Sequence, residues 1–197
     1  MSKKRLFYII FFISLTLTFY FIVRKWLKKD TAIATVQSFS FIDQDGKAFT
    51  NSNVAGKVYV TEFFYTTCTA VCPRMNHNMK KVYERFKNEK DFLIISHTSD
   101  PERDSAAQLK KYAAELGVNT DRWIFLTGRK DSLYNMARLS YQIDDPANNL
   151  KSIDDQFLHS QLWALVDREG KVKKIYDGLK EEEVNELMED ISEMLKE

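Results

Sequence analysis

The sequence predicts an α/β sandwich around a central sheet, preceded by one membrane-spanning helix. Three observations carry this reading. Short runs rich in β-branched and aromatic residues alternate with amphipathic helical stretches, and the order closes on a hairpin and a helix. Leu6 to Val23 (LFYIIFFISLTLTFYFIV) is 18 residues without a charge. A chain 44% hydrophobic and 29% charged, with three Pro and six Gly, has the composition of a globular domain rather than a fibrous or disordered one.

At 1.5 Å per residue the apolar stretch spans roughly 27 Å as a helix, close to the hydrocarbon thickness of a bilayer. Lys3-Lys4-Arg5 precede it and Arg24-Lys25 follow, placed for lipid head groups, with Trp26 suited to the interface. The run is long for a cleaved signal peptide, and the small-residue triplet Ala32-Ile33-Ala34 lies beyond four further cations, so an uncleaved anchor is expected. Positive residues flank both ends, so charge alone does not set the orientation. The expected organisation is an anchor with its basic flank over 1–23, a tether over 24–35 and one domain over 36–197. Seven cations and one anion fall in the first 30 residues, leaving 22 Lys+Arg against 27 Asp+Glu, a net of −5, in the remainder. Such a body repels phosphate backbones, which excludes nucleic acid as a partner.

Within the body, the alternation over Val36–Phe41 predicts a strand, and Asp45-Gly46 a hairpin turn into Lys47–Thr50. Lys57–Tyr65 (KVYVTEFFY) and Asp91–His97 (DFLIISH) read as buried strands, followed by others at Trp123–Thr127, Gln161–Asp167 and Val172–Tyr176. Pro73 fits a first helical turn, and Met75, Met79, Val82 and Phe86 follow on one face. Asp104 is expected to cap a helix with Ala106, Leu109, Tyr112, Ala113 and Leu116 inward, ended by Gly117. Leu133–Tyr141 predicts a further helix, and a polar loop covers 144–156. The last helix starts near Lys180, with Val184, Leu187, Met188, Ile191 and Leu195 as its stripe and Glu181-Glu182-Glu183 at its positive end.

The chemistry centres on the two cysteines. Cys68 and Cys72 lie four apart where a strand runs into a helix. Helical geometry would separate their Cα atoms by about 6 Å, within reach of a disulfide or a shared metal. A helix N-terminus favours thiolate, which is both nucleophile and ligand. A structural disulfide here would close only a tiny loop and stabilise little. Two thiolates need a third ligand, and three histidines compete. His77 sits about 200° around its helix from Met75, towards solvent. His97 ends a buried strand at the edge where Cys68 emerges, and His159 follows the polar loop. A two-Cys, one-His set suits Cu(I), whereas zinc would want a fourth ligand.

These residues resemble the SCO/SenC family of copper chaperones. The resemblance runs from about Phe39 to Leu195 on Phe63-Phe64-Tyr65-Thr66-Thr67-Cys68, Val71-Cys72-Pro73, Ser99-Asp100-Pro101-Glu102-Arg103-Asp104, Leu126-Thr127-Gly128, His159, and Val166-Asp167 with Glu169-Gly170-Lys171. It implies a thioredoxin-like three-layer sandwich with an N-terminal transmembrane helix, in keeping with a strand whose end carries paired cysteines and opens a helix. It implies copper, Cu(I) or Cu(II), bound by Cys68, Cys72 and His159. It also implies delivery of copper to the binuclear copper centre of cytochrome c oxidase, or thiol reduction of that centre. The expected partners are the oxidase subunit bearing that centre, a thiol reductant protein and the membrane. Many members have Pro and Asp between the cysteines, where this chain has Thr69 and Ala70, and Asp before the histidine, where it has Leu158. Those departures bear on docking and copper affinity.

The competing expectation is a membrane-bound thiol–disulfide oxidoreductase or peroxidase using the redox-active pair Cys68 and Cys72. Such thioredoxin-like reductases typically carry CxxC and a Pro just before the strand facing it. Here the spacing is CxxxC, and Pro146 is 13 residues before His159. A chain with few cysteines and a poised dithiol belongs where disulfides form. The body is therefore expected on the periplasmic or extracytoplasmic side of a bacterial membrane, as no Arg- and Ser-rich transit region precedes the anchor.

Overall fold

The computed structural model describes residues 3–27, 32–145, 152–153 and 156–196. It divides into two units, residues 1–31 and 32–197. The first unit is a 25-residue helix, α1 (Lys3–Leu27), long and apolar enough to cross a bilayer. Its large apolar side chains from Leu6 to Phe21, among them Phe7, Phe11, Phe12, Phe19 and Phe21, are exposed, as a helix without a polar face requires of any membrane candidate.

The second unit holds an eight-stranded mixed sheet in the order β1-β8-β7-β4-β5-β6-β2-β3. The strands are β1 (Ala34–Thr35), β2 (Ser40–Asp43), β3 (Ala48–Thr50), β4 (Val58–Phe64), β5 (Phe92–Thr98), β6 (Trp123–Thr127), β7 (Leu162–Val166) and β8 (Lys171–Asp177). Central β4, β5 and β6 run parallel, and β7 pairs antiparallel with β4. Beyond the short α2 (Asn51–Val54), the helices are α3 (Cys72–Phe86), α4 (Ala106–Leu116), α5 (Lys130–Asn135) and α6 (Glu181–Met194).

The near-continuous apolar runs of β4 and β5 follow from burial on both faces. Val58, Val60 and Phe64 of β4 point to one core, shared with Met75, Met79 and Val82 of α3, Leu109 of α4 and Leu187 of α6. Tyr59 and Phe63 point to the other, with Leu133 of α5, Phe41 and Tyr141. Helices on both faces make the three layers expected, and the fold is thioredoxin-like.

Three local expectations are corrected. Residues 36–39 lie outside any strand. Phe39 and Phe41 do alternate into the core, but ladder pairing begins only at Ser40, because the Phe39 N–H is taken by the Asn51 side chain. Ser105, not Asp104, caps α4: its hydroxyl accepts from the Gln108 N–H at 3.3 Å. The helix expected at Leu133–Tyr141 begins at Lys130 and widens into a π-helical turn over Met136–Ser140, where the Tyr141 N–H bonds the carbonyl of Met136. Gly117 ends α4 at φ 65°, the left-handed conformation that glycine adopts without strain.

Candidate metal centre

The cysteine loop leaves the carboxyl end of β4. Its mooring is Asp104, fully buried, which joins the ends of two parallel strands. Oδ2 accepts from the Thr66 N–H at 3.0 Å and from the Thr98 hydroxyl at 2.6 Å, while Oδ1 accepts from the Thr66 hydroxyl. The Ser99 N–H also bonds the Phe64 carbonyl at 2.7 Å. The sequence singles out Asp100–Asp104 by its residues alone; in the fold, the last residue of that run fixes where the cysteine loop starts.

Only the second cysteine is helical. Cys72 opens α3, with Pro73 in the first turn, and Cys68 sits in the preceding loop. The Cys72 N–H points at the Cys68 sulfur at 3.4 Å, one of the donors a helix start leaves free. Both thiols are free, Cys68 half-buried and Cys72 buried beside Met75 and Phe64. They differ in acidity. Burial pushes the Cys68 thiol up, but hydrogen bonds from the Cys72 thiol, the Cys72 N–H and the Tyr65 hydroxyl outweigh it, and the net shift is down. Burial and donation of its proton to Cys68 push Cys72 up to about 12. The two thiols are thus unequal, with negative charge favoured on the outer sulfur.

The three histidines separate cleanly. His77 is exposed on α3. His97 is fully buried in the core on the opposite face of the sheet from Cys72, stacked on Phe63 at 4.9 Å, with Nδ1 3.1 Å from the Thr61 hydroxyl. Burial lowers its pKa to about 3, which keeps it neutral. His159 is exposed in an extended segment before β7. That segment alternates. Gln156 and Leu158 turn inward, and Phe157 and His159 turn out together. Leu158 is 3% exposed in the second core and its N–H bonds the Tyr134 hydroxyl, so a carboxylate at this position would be buried. Phe157 and His159 face Tyr65 from the cysteine loop.

The fold thus brings Cys68 and Cys72 together, with His159 one aromatic ring away. Among the described residues, no three Cys, His, Asp or Glu side chains are already gathered as a metal cage. Sequence reasoning did not find Asp104's anchoring role or the part of Tyr65. Pro146 lies outside the described residues.

The SCO1/SenC family model matches residues 28–196. The chain belongs to the SCO1/SenC family. It is 34% identical over 167 residues to a SCO1 protein homolog of Bacillus subtilis, covering 83% of this chain and 84% of that one. Among solved structures it is similar to BsSco, described with a disulfide switch and as a member of the Sco family of cytochrome c oxidase assembly proteins. That match has TM-score 0.70 and 31% identity, covering 85% of this chain and 96% of that one. It also resembles Arabidopsis thaliana ScoI with copper bound, at TM-score 0.65 and 27% identity, covering 83% and 99%.

Proposed function

We propose that this SCO1/SenC protein is a membrane-anchored copper carrier for cytochrome c oxidase assembly, which takes its cargo on Cys68, Cys72 and His159. The observation that carries the reading is the pair of free thiols brought together at the start of α3, with the Cys72 N–H 3.4 Å from the Cys68 sulfur. Two sulfurs and an imidazole form a soft donor set that suits Cu(I). Copper-bound and oxidase-assembly relatives support the cargo and the destination. Thiols must lose their protons to bind metal, so affinity falls with falling pH. Because the donors are not gathered beforehand, closing the site draws the His159 segment towards Cys68. The α1 helix is the anchor, with the body on the extracytoplasmic side of a bacterial membrane.

The asymmetry of the two thiols supports a second activity, reduction of a partner's disulfide. The Cys68 thiolate attacks one partner sulfur, forming a mixed disulfide and expelling the other partner sulfur as thiolate. The Cys72 thiolate then attacks Cys68, leaving a Cys68–Cys72 disulfide and a fully reduced partner; the Cys72 proton goes to the departing sulfur. The outer, more acidic thiol is the accessible nucleophile that this requires. Titration of the reduced full chain in detergent with Cu(I) against a competing chelator tests the main reading. One copper per chain is expected, and Cys68→Ser or Cys72→Ser should abolish tight binding. Full stoichiometric binding by Cys72→Ser would refute it.

A further inference from the structure

Tyr65 lies three residues before Cys68 in the loop that carries the cysteines, and its ring faces the segment that carries His159. Its ring meets Phe157 edge-on at 5.1 Å and His159 edge-on at 6.1 Å, while Phe157 and His159 lie 4.6 Å apart. Ordinary core packing is a poor explanation for this cluster. His159 is exposed and Phe157 is 43% exposed, so the rings gather where burial gains little. Edge-to-face contacts orient rings even where they bury modest area. The backbone provides the rest. Leu158 is locked inward by its burial and its bond to Tyr134, which forces Phe157 and His159 outward on the same side, towards Tyr65.

We propose that Tyr65 is a positioning residue for the metal centre: its ring, with that of Phe157, orients the His159 imidazole. The inference rests on the reading of His159 as a ligand. It assigns Tyr65 a place in the shell around the ligands, where partners fix ring orientation without touching metal. The cost of gathering an exposed histidine is lowered when its ring already has a preferred attitude.

The test uses the reduced full chain in detergent with Tyr65→Leu, which keeps apolar bulk but removes ring and hydroxyl, and Tyr65→Phe, which restores the ring alone. The first readout is metal-free: NMR shifts of the His159 ring in histidine-labelled protein, which neighbouring aromatic rings displace. Tyr65→Leu should bring those shifts close to free-histidine values, and Tyr65→Phe should keep them near wild type. The second readout is Cu(I) affinity by chelator competition. Tyr65→Leu should weaken it by about 10- to 100-fold, the range for residues supporting ligands, and Tyr65→Phe should recover most of the loss. Wild-type His159 shifts or wild-type affinity in Tyr65→Leu would overturn the proposal. His159→Ala is run alongside. If it leaves affinity unchanged, the ligand reading itself fails, whereas a loss in His159→Ala without one in Tyr65→Leu refutes only the role of Tyr65. Should Tyr65→Leu fail to fold, Phe157→Ala, at an exposed position, decides by the same shifts and the same affinity, with wild-type values again the contradictory result.

Discussion

The loop that carries the cysteines and the segment that carries His159 meet at Tyr65, yet they are held by opposite means. The cysteine loop is tied at its root to a buried carboxylate and at its end to the first turn of α3. The His159 segment has an inward row fixed by Leu158 and by the Gln156–Arg138 hydrogen bond, and an outward row held only by ring contacts. In the proposed centre the two sulfurs are therefore part of the fold, and the imidazole is a surface attachment. The proposed role as a carrier, which must both hold and surrender its cargo, would be served by such a division, with two fixed donors and one that closes.

The largest expected effect breaks the fixed half. Asp104→Ala leaves the half-buried Thr66 N–H and hydroxyl and the fully buried Thr98 hydroxyl without their acceptor. Unsatisfied buried groups cost about 1–3 kcal/mol each, so a loss of about 3 kcal/mol or more is expected in urea denaturation. His159→Ala, by contrast, should change stability by less than about 0.5 kcal/mol, as for other surface replacements. A small loss in Asp104→Ala would erase the contrast between the two segments.

The next effect is pH-dependent and lies in the core beneath the cysteines. Glu62, on the same face of β4 as Val60 and Phe64, is fully buried and accepts from the Ser96 hydroxyl at 2.7 Å. Burial raises its pKa from 4.5 to about 7. A raised acid binds more protons folded than unfolded, so its stability contribution is complete below 4.5 and is lost as pH rises through about 7. At 1.36 kcal/mol per pKa unit the loss is about 3 kcal/mol. Glu62→Gln should flatten stability on the neutral side relative to wild type. His97 acts in the reverse sense: its lowered pKa gives stability that is complete above 6.5 and is lost as pH falls towards about 3. Parallel profiles for wild type and Glu62→Gln between about pH 5 and 8 would show that Glu62 does not titrate there.

A difference within the fixed half comes next. Cys68 is the more exposed and the more acidic thiol, so iodoacetamide should label it well before Cys72 at neutral pH, read by mass spectrometry of the peptides. Equal rates would remove the asymmetry on which the reductase activity depends. The smallest effect concerns α4 alone. Ser105→Ala should cost about 1 kcal/mol through loss of its cap.

The strands and helices were legible because the central strands are buried on both faces and α3, α4 and α6 bury one stripe each, which leaves clear hydrophobic periods. The cysteine pair was legible from spacing. The rest depends on distant contacts. Asp104 has the residue type and position of a cap, but its partners are 38 residues upstream and 6 residues upstream, a pairing that local pattern does not reveal. The widening over Met136–Ser140 has no mark in the helical period. At Gly178 an added Cβ would lie 2.3 Å from the Trp163 ring, a close approach that local pattern does not show. His159 was placed by family resemblance, since an exposed histidine after a polar loop carries no physical signal of its own. Its attitude towards Tyr65 comes from the inward burial of Leu158, a position where the sequence alone showed only a departure from the family pattern.

The most direct test of the shared centre is copper-edge X-ray absorption on the loaded full chain, wild type beside His159→Ala. Two sulfur scatterers and one imidazole nitrogen are expected in wild type, with the imidazole signature lost and the sulfurs retained in the variant. Identical spectra from the two proteins would contradict the assignment of Cys68, Cys72 and His159 as one site.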